Sequence, residues 1–105
     1  MRIFNRSTLN TFASAHPDAD HPLRAWYREI ETGAWASPAD IKARYGSASV
    51  IRHNRIVFNI GGNKYRLIVR FRYTPPQAPF IEFIGTHHEY DLVDAETVSF
   101  RKSPP

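Results

Sequence analysis

The sequence predicts an α+β fold: N-terminal helices packed on one face of a mainly antiparallel sheet, with a short helix toward the C-terminus. Three observations carry this. Leu23, Trp26, Tyr27 and Ile30 recur at i, i+3, i+4 and i+7, the spacing of one helical face. Residues 64–73 alternate with a period of two instead. Tyr65, Leu67, Val69, Phe71 and Tyr73 fall on one face, and Lys64, Arg66, Ile68, Arg70 and Arg72 on the other. Helical periodicity comes first along the chain and strand periodicity after it, the order of a segregated α+β fold rather than an alternating α/β one.

The elements follow in order. Residues 2–5 are partly apolar and read as an opening strand. Ser7 is placed to cap a first helix with Leu9, Phe12 and Ala13 inward, and His16-Pro17-Asp18 ends it. Asp20 or His21 precedes Pro22, whose fixed φ suits the first position of the second helix, and Gly33 is its expected stop. Trp26 and Tyr27 read as core. Ser37-Pro38-Ala39-Asp40 opens a third helix, with Ser37 as cap, Ile41 and Tyr45 inward, and Lys42 and Arg44 outside. A short strand over 47–51 precedes a second, Arg55–Ile60, that points Ile56, Phe58 and Ile60 inward. Gly61-Gly62-Asn63 tolerates positive φ and closes a hairpin onto the basic strand. Prolines 75, 76 and 79 mark a loop. Residues 80–85 are apolar on both faces except Glu82 and read as an interior strand. The Pro104-Pro105 end reads as frayed.

With 105 residues, 42% of them hydrophobic, the chain is expected to form one domain over 1–105 around a modest core. Lys+Arg minus Asp+Glu is 14 − 10 = +4, and the pI is near 9.8, a balance that favours polyanionic partners. The lack of cysteine excludes disulfides and thiolate-built zinc sites and suits the cytoplasm. No apolar run reaches the length of a membrane span, and no signal-peptide core follows Met1, so no membrane partner is expected.

The polar face of residues 64–73 sets its cations roughly 6–7 Å apart. Such a row suits a line of phosphates, or a solvated edge strand guarded by charge. Downstream lies Thr86-His87-His88-Glu89-Tyr90-Asp91. Thr86 and Glu89 match a capping box, and the helix it starts puts His87, Tyr90 and Asp91 on one face. Metal binding by His87, Glu89 and Asp91, with His16, His21 and His53 in reserve, fits no recognised spacing such as H-E-x-x-H. No G-x-S-x-G elbow marks a serine nucleophile. Acid–base chemistry by imidazole and phenol fits better, and a capped helix with exposed histidines is the plainer alternative. Cations that hold a phosphate beside an acid–base pair are the parts needed to cleave an RNA phosphodiester, whose 2′-OH is its own nucleophile.

Val57-Phe58-Asn59-Ile60-Gly61-Gly62-Asn63-Lys64-Tyr65-Arg66-Leu67-Ile68, followed by Gly85-Thr86-His87-His88-Glu89-Tyr90-Asp91, resembles the HigB family of mRNA interferase toxins. These are RelE-like toxins of bacterial type II toxin–antitoxin systems, and the likeness extends over nearly the whole chain. It implies a compact RelE-like domain that enters the ribosomal decoding site and cuts mRNA there. The cut it implies is a 2′-OH attack that needs no metal or other cofactor and leaves a cyclic phosphate. It also implies a HigA-like helix-turn-helix antitoxin, with operator DNA bound only through that partner. Carried over by position, Arg66 steadies phosphate charge, His87 handles a proton and Tyr90 orients or assists, with the division between base and acid left open. Lys42, Arg44, Lys64, Arg70 and Arg72 are expected RNA or phosphate contacts from the charge pattern rather than the family motif. The competing reading is a non-catalytic RNA- or ribosome-binding module in which His87 and Tyr90 stack on bases.

Overall fold

In the computed structural model of the chain, which describes residues 2–99, the elements run α1 (Arg6–Ala15), a 3₁₀ turn (Pro17–Ala19), α2 (Asp20–Thr32), α3 (Pro38–Arg44), β1 (Ser49–Ile51), β2 (Arg55–Ile60), β3 (Tyr65–Arg72), β4 (Ala78–Thr86) and α4 (His87–Asp91). The strands form one sheet in the order β1-β2-β3-β4, every neighbour antiparallel. The core lies where the helices meet one sheet face. Leu9, Leu23, Trp26, Ile30 and Ile41 pack there with Ile56, Phe58, Leu67, Val69, Phe71 and Ile81. Each such side chain stabilises the fold by about 1.5–3 kcal/mol on full burial. The predicted α+β architecture is the one observed, and Trp26 is core as expected. The Pro104-Pro105 end lies outside the described residues. Among the described residues no helix is long and apolar enough to cross a membrane.

The hairpin turn follows its sequence: Gly61, Gly62 and Asn63 take φ of 65°, 62° and 86°. Three other element ends work differently from expectation. Residues 2–5 contribute a single parallel bridge, Phe4 with Phe80, rather than a strand. The Phe4 N–H donates to the Pro79 carbonyl at 3.0 Å, and the Ile81 N–H to the Phe4 carbonyl at 3.2 Å. Asn5 then holds the N-cap position of α1 in a left-handed conformation, and its side-chain amide donates to the Ile81 carbonyl at 3.0 Å instead of capping. Docking onto β4 therefore sets where α1 starts, and Ser7 falls inside the helix. At α3, Ser37 holds the N-cap position without a side-chain bond, while Asp40 accepts the Ala36 N–H at 2.9 Å. Gly33 ends α2 with an ordinary extended backbone. Its lack of a side chain matters for another reason, since a Cβ there would lie 2.5 Å from the Trp35 ring. Trp35 Nε1 donates to the Ile30 carbonyl at 3.1 Å and so satisfies the end of the helix.

The largest correction concerns β4, which is an edge strand and not an interior one. It reads as apolar on both faces because both are covered, and Phe4 and Asn5 occupy part of its outer edge. Its pairing with β3 steps from Ile68↔Phe83 to Val69↔Ile81, which leaves Glu82 as the extra residue of a bulge. Glu82 is 2% exposed and accepts from Arg70 Nε at 3.1 Å, Arg55 Nη2 at 3.5 Å and the Ser99 hydroxyl at 3.0 Å. Arg55 Nη1 in turn donates to the carbonyls of Ala95 and Val98, at 3.1 and 2.6 Å, so the segment after α4 lies across this second sheet face. Val57 and Ile68 are buried in the fold although they point away from the helices.

Candidate functional site

The hairpin and the β3–β4 register assemble the site. Tyr65 pairs with Thr86 and Arg66 with Gly85, so the start of β3 lies beside the end of β4 from which α4 springs. Both halves of the capping box form: the Thr86 hydroxyl accepts the Glu89 N–H at 3.1 Å, and the Glu89 carboxylate accepts the Thr86 N–H at 2.8 Å. The Thr86 N–H is the main influence holding the Glu89 carboxyl below its usual range, against the opposing effect of partial burial. The His87 N–H donates to the Lys64 carbonyl at 3.2 Å, which ties this short helix to β3. Gly85 makes the close packing possible, since a Cβ there would lie 2.5 Å from the Phe83 ring and 3.2 Å from the Glu89 Cβ.

Three sequence-predicted residues gather on this frame. The Arg66 guanidinium lies over the Tyr90 ring, 5.9 Å from its centroid, and Nη1 donates to the Asn63 carbonyl at 3.0 Å. Tyr90 is also flanked by Phe83, at 6.5 Å between centroids. His87 stands on the same helix three residues before Tyr90, exposed, with Nδ1 3.4 Å from the Asp91 carboxylate. The face expected for His87, Tyr90 and Asp91 is thus present, and Arg66 joins it from the neighbouring strand. A guanidinium fork over a phenol, and an imidazole with one nitrogen toward a carboxylate, thus stand at the same end of the sheet. Such a set can bind an anion and move protons.

The remaining cations do not form the row that alternation suggests. Arg70 is drawn to Glu82 and lies over the Phe80 ring at 4.4 Å. Lys64 pairs with Asp18 at 2.9 Å. Lys42 donates to the carbonyls of Gly46 and Ala48, and Arg44 pairs with Glu29 at 2.6 Å. Arg72 is exposed and has no acidic partner among the described residues. Ile68, on the same alternation as the cations, is fully buried.

A second cluster, without a motif in the sequence, lies beside the site. Asp18 Oδ1 accepts the Tyr65 hydroxyl and Oδ2 the Lys64 ammonium. The Tyr65 hydroxyl first, and then Lys64, hold the Asp18 carboxyl below the usual carboxylate range, while Asp18 pushes the phenol up. His16 stacks on Phe12 at 4.3 Å and meets the Tyr65 ring edgewise at 5.4 Å. The only signal in the sequence was His16-Pro17-Asp18 itself, which reads as a helix stop.

The HigB_toxin family model, described as the RelE-like toxic component of a toxin-antitoxin system, matches residues 19–93. The match takes in α2, the Gly-Gly-Asn turn, β3 and α4. No curated protein matches the chain.

Proposed function

The chain belongs to the HigB toxin family, the RelE-like toxic components of toxin–antitoxin systems, and from that premise we propose that it is a ribosome-dependent endoribonuclease that cuts mRNA. The family implies an antitoxin partner. In this reading the partner is a HigA-like helix-turn-helix protein that alone contacts operator DNA, and the toxin acts in the cytoplasm as one domain over residues 1–105.

The observation that supports the reading best is the Arg66–Tyr90 contact beside His87. The reaction needs three things of the protein. The RNA 2′-OH must lose a proton, the phosphorus must accept the attacking oxygen while its equatorial oxygens gain charge, and the 5′-oxygen must leave with a proton. With Nδ1 toward Asp91, His87 offers Nε2 to the 2′-OH, in the way a carboxylate orients an imidazole base elsewhere. Arg66 donates its fork to the non-bridging oxygens, where charge develops. Tyr90 holds the fork in place and sits where it can share the second proton transfer. The nucleophile is supplied by the RNA, so this route calls for no metal or other cofactor. The products are a 2′,3′-cyclic phosphate and a 5′-OH.

The experiment uses purified ribosomes programmed with a defined mRNA, wild-type protein and His87→Ala, followed by end-group analysis. Cleavage by the wild type with cyclic phosphate and 5′-OH ends is expected, and the variant should lose it. A 5′-phosphate on the downstream fragment overturns the mechanism. Ribosomal mRNA left intact by the wild type as by the variant overturns the enzyme in favour of a binding module.

A further inference from the structure

Alternation along β3 places Lys64 on the same side as Arg66, yet its ammonium is found elsewhere. It reaches into the helical layer, to Asp18 in the turn between α1 and α2, at 2.9 Å. The two ends of this pair are held very differently. Asp18 is also bonded by the hydroxyl of Tyr65, a residue 6% exposed and fixed edge-on against Phe12 at 5.2 Å and His16 at 5.4 Å. The carboxylate therefore keeps a rigid partner whether or not Lys64 is bound. Lys64 has a 66% exposed side chain on a flexible stem. Its own carbonyl accepts the His87 N–H, so the stem is rooted against the first residue of α4.

We propose that Asp18 is a parking post for Lys64: it holds the ammonium in the free protein and yields it to a backbone phosphate of bound RNA. The RNA class rests on the function proposed above. Exposed ion pairs are weak, so a phosphate arriving beside His87 competes for the ammonium on nearly equal terms. The exchange leaves the Tyr65–Asp18 bond intact and costs the fold little. Once vacated, Asp18 is an uncompensated anion, so it lowers RNA affinity and disfavours phosphate on the side of the 3₁₀ turn. Asp18 is thus an affinity-setting residue that touches no reacting atom.

The test measures binding of a fully 2′-O-methylated RNA oligonucleotide, which cannot be cleaved, across a series of salt concentrations. The proteins are wild type, Asp18→Asn, Lys64→Met and the double variant, each checked by thermal melting. Asp18→Asn should bind more tightly by up to about fivefold, the span of an exposed ion pair. Lys64→Met should flatten the log–log salt slope by about 0.7, the loss of one phosphate contact. In the double variant the gain from Asp18→Asn should shrink to the residual effect of removing a bare anion. Tyr65→Phe, which keeps both charges, should retain the wild-type slope. An equal gain with and without Lys64, or an unchanged slope in Lys64→Met, overturns the proposal, and the slope result does not require Asp18→Asn to fold. Binding needs no cleavage, so coupling without ribosomal cleavage would overturn only the nuclease reading, and cleavage without coupling only the parking post.

Discussion

Replacing Arg66 with alanine should separate catalysis from stability, and the geometry sets both magnitudes. In the folded protein Arg66 Nη1 donates to the carbonyls of Asn63 and Tyr65, at 3.0 and 3.4 Å, and its guanidinium meets the Tyr90 ring at 5.9 Å. An exposed cation–π contact is worth about 0.5–1 kcal/mol. Each kcal/mol moves the melting point of a domain this size by about 4–8 °C. A loss of a few degrees is therefore the expected cost to the fold. At the transition state the same guanidinium donates to a phosphate whose charge is growing, and removing one preorganised donor of that kind costs about 2.7–4 kcal/mol, or 10²–10³ in rate. Arg66→Ala should thus cleave at least about a hundredfold more slowly while remaining folded at the assay temperature. Arg66→Lys, which keeps the charge and loses the fork, should fall in between. The assay is single-turnover cleavage on programmed ribosomes, with melting curves on the same preparations. Cleavage within about tenfold of wild type, or a loss that merely tracks the unfolded fraction, would refute the role assigned to Arg66.

Glu82→Ala should destabilise the fold by about 3–5 kcal/mol, because it strands the Arg55 side chain, 7% exposed, without its carboxylate. A melting point within a few degrees of wild type would show that the bulge cluster contributes little. The Glu89 carboxyl is depressed in the folded state, so its capping contribution is complete above the unfolded value of 4.5 and is lost as pH falls through the lower folded value. Protection of the α4 amides, measured against their intrinsic exchange rates, should fall in that acid range for the wild type, and Glu89→Gln, which caps without titrating, should flatten the dependence; an identical acid response in both would count against the cap. Lys42→Ala should lower the melting point and leave the RNA salt slope unchanged, since Lys42 serves the carbonyls of Gly46 and Ala48. Arg72→Ala should do the reverse, flattening the slope by about 0.7 with little effect on melting, and a steep loss of stability there would place Arg72 in the fold rather than on RNA.

Much of the molecule is written in short-range pattern. The i, i+3, i+7 spacing of Leu23, Trp26 and Ile30 gives α2 its buried face, and period two gives β3 its own. The Gly-Gly-Asn turn and the Thr86–Glu89 box are local chemistry that works in any context, which is why the placement of His87 and Tyr90 on one short helix was legible before the fold was. What the tertiary structure decided are the partners that come from far along the chain. A bulge in β4 turns Glu82 onto the basic face and claims Arg70, 12 residues away, and Arg55, 27 away. Asp18 claims Lys64 across 46 residues. Strand position belongs with these, because β4 looks interior from its composition and lies at the edge. Periodicity reports which way a side chain points relative to its own element, whereas charge pairing and sheet order depend on what the other elements bring alongside. A row of cations on one strand is therefore a feature of the sequence, but only the folded chain determines which of them stay available to a phosphate.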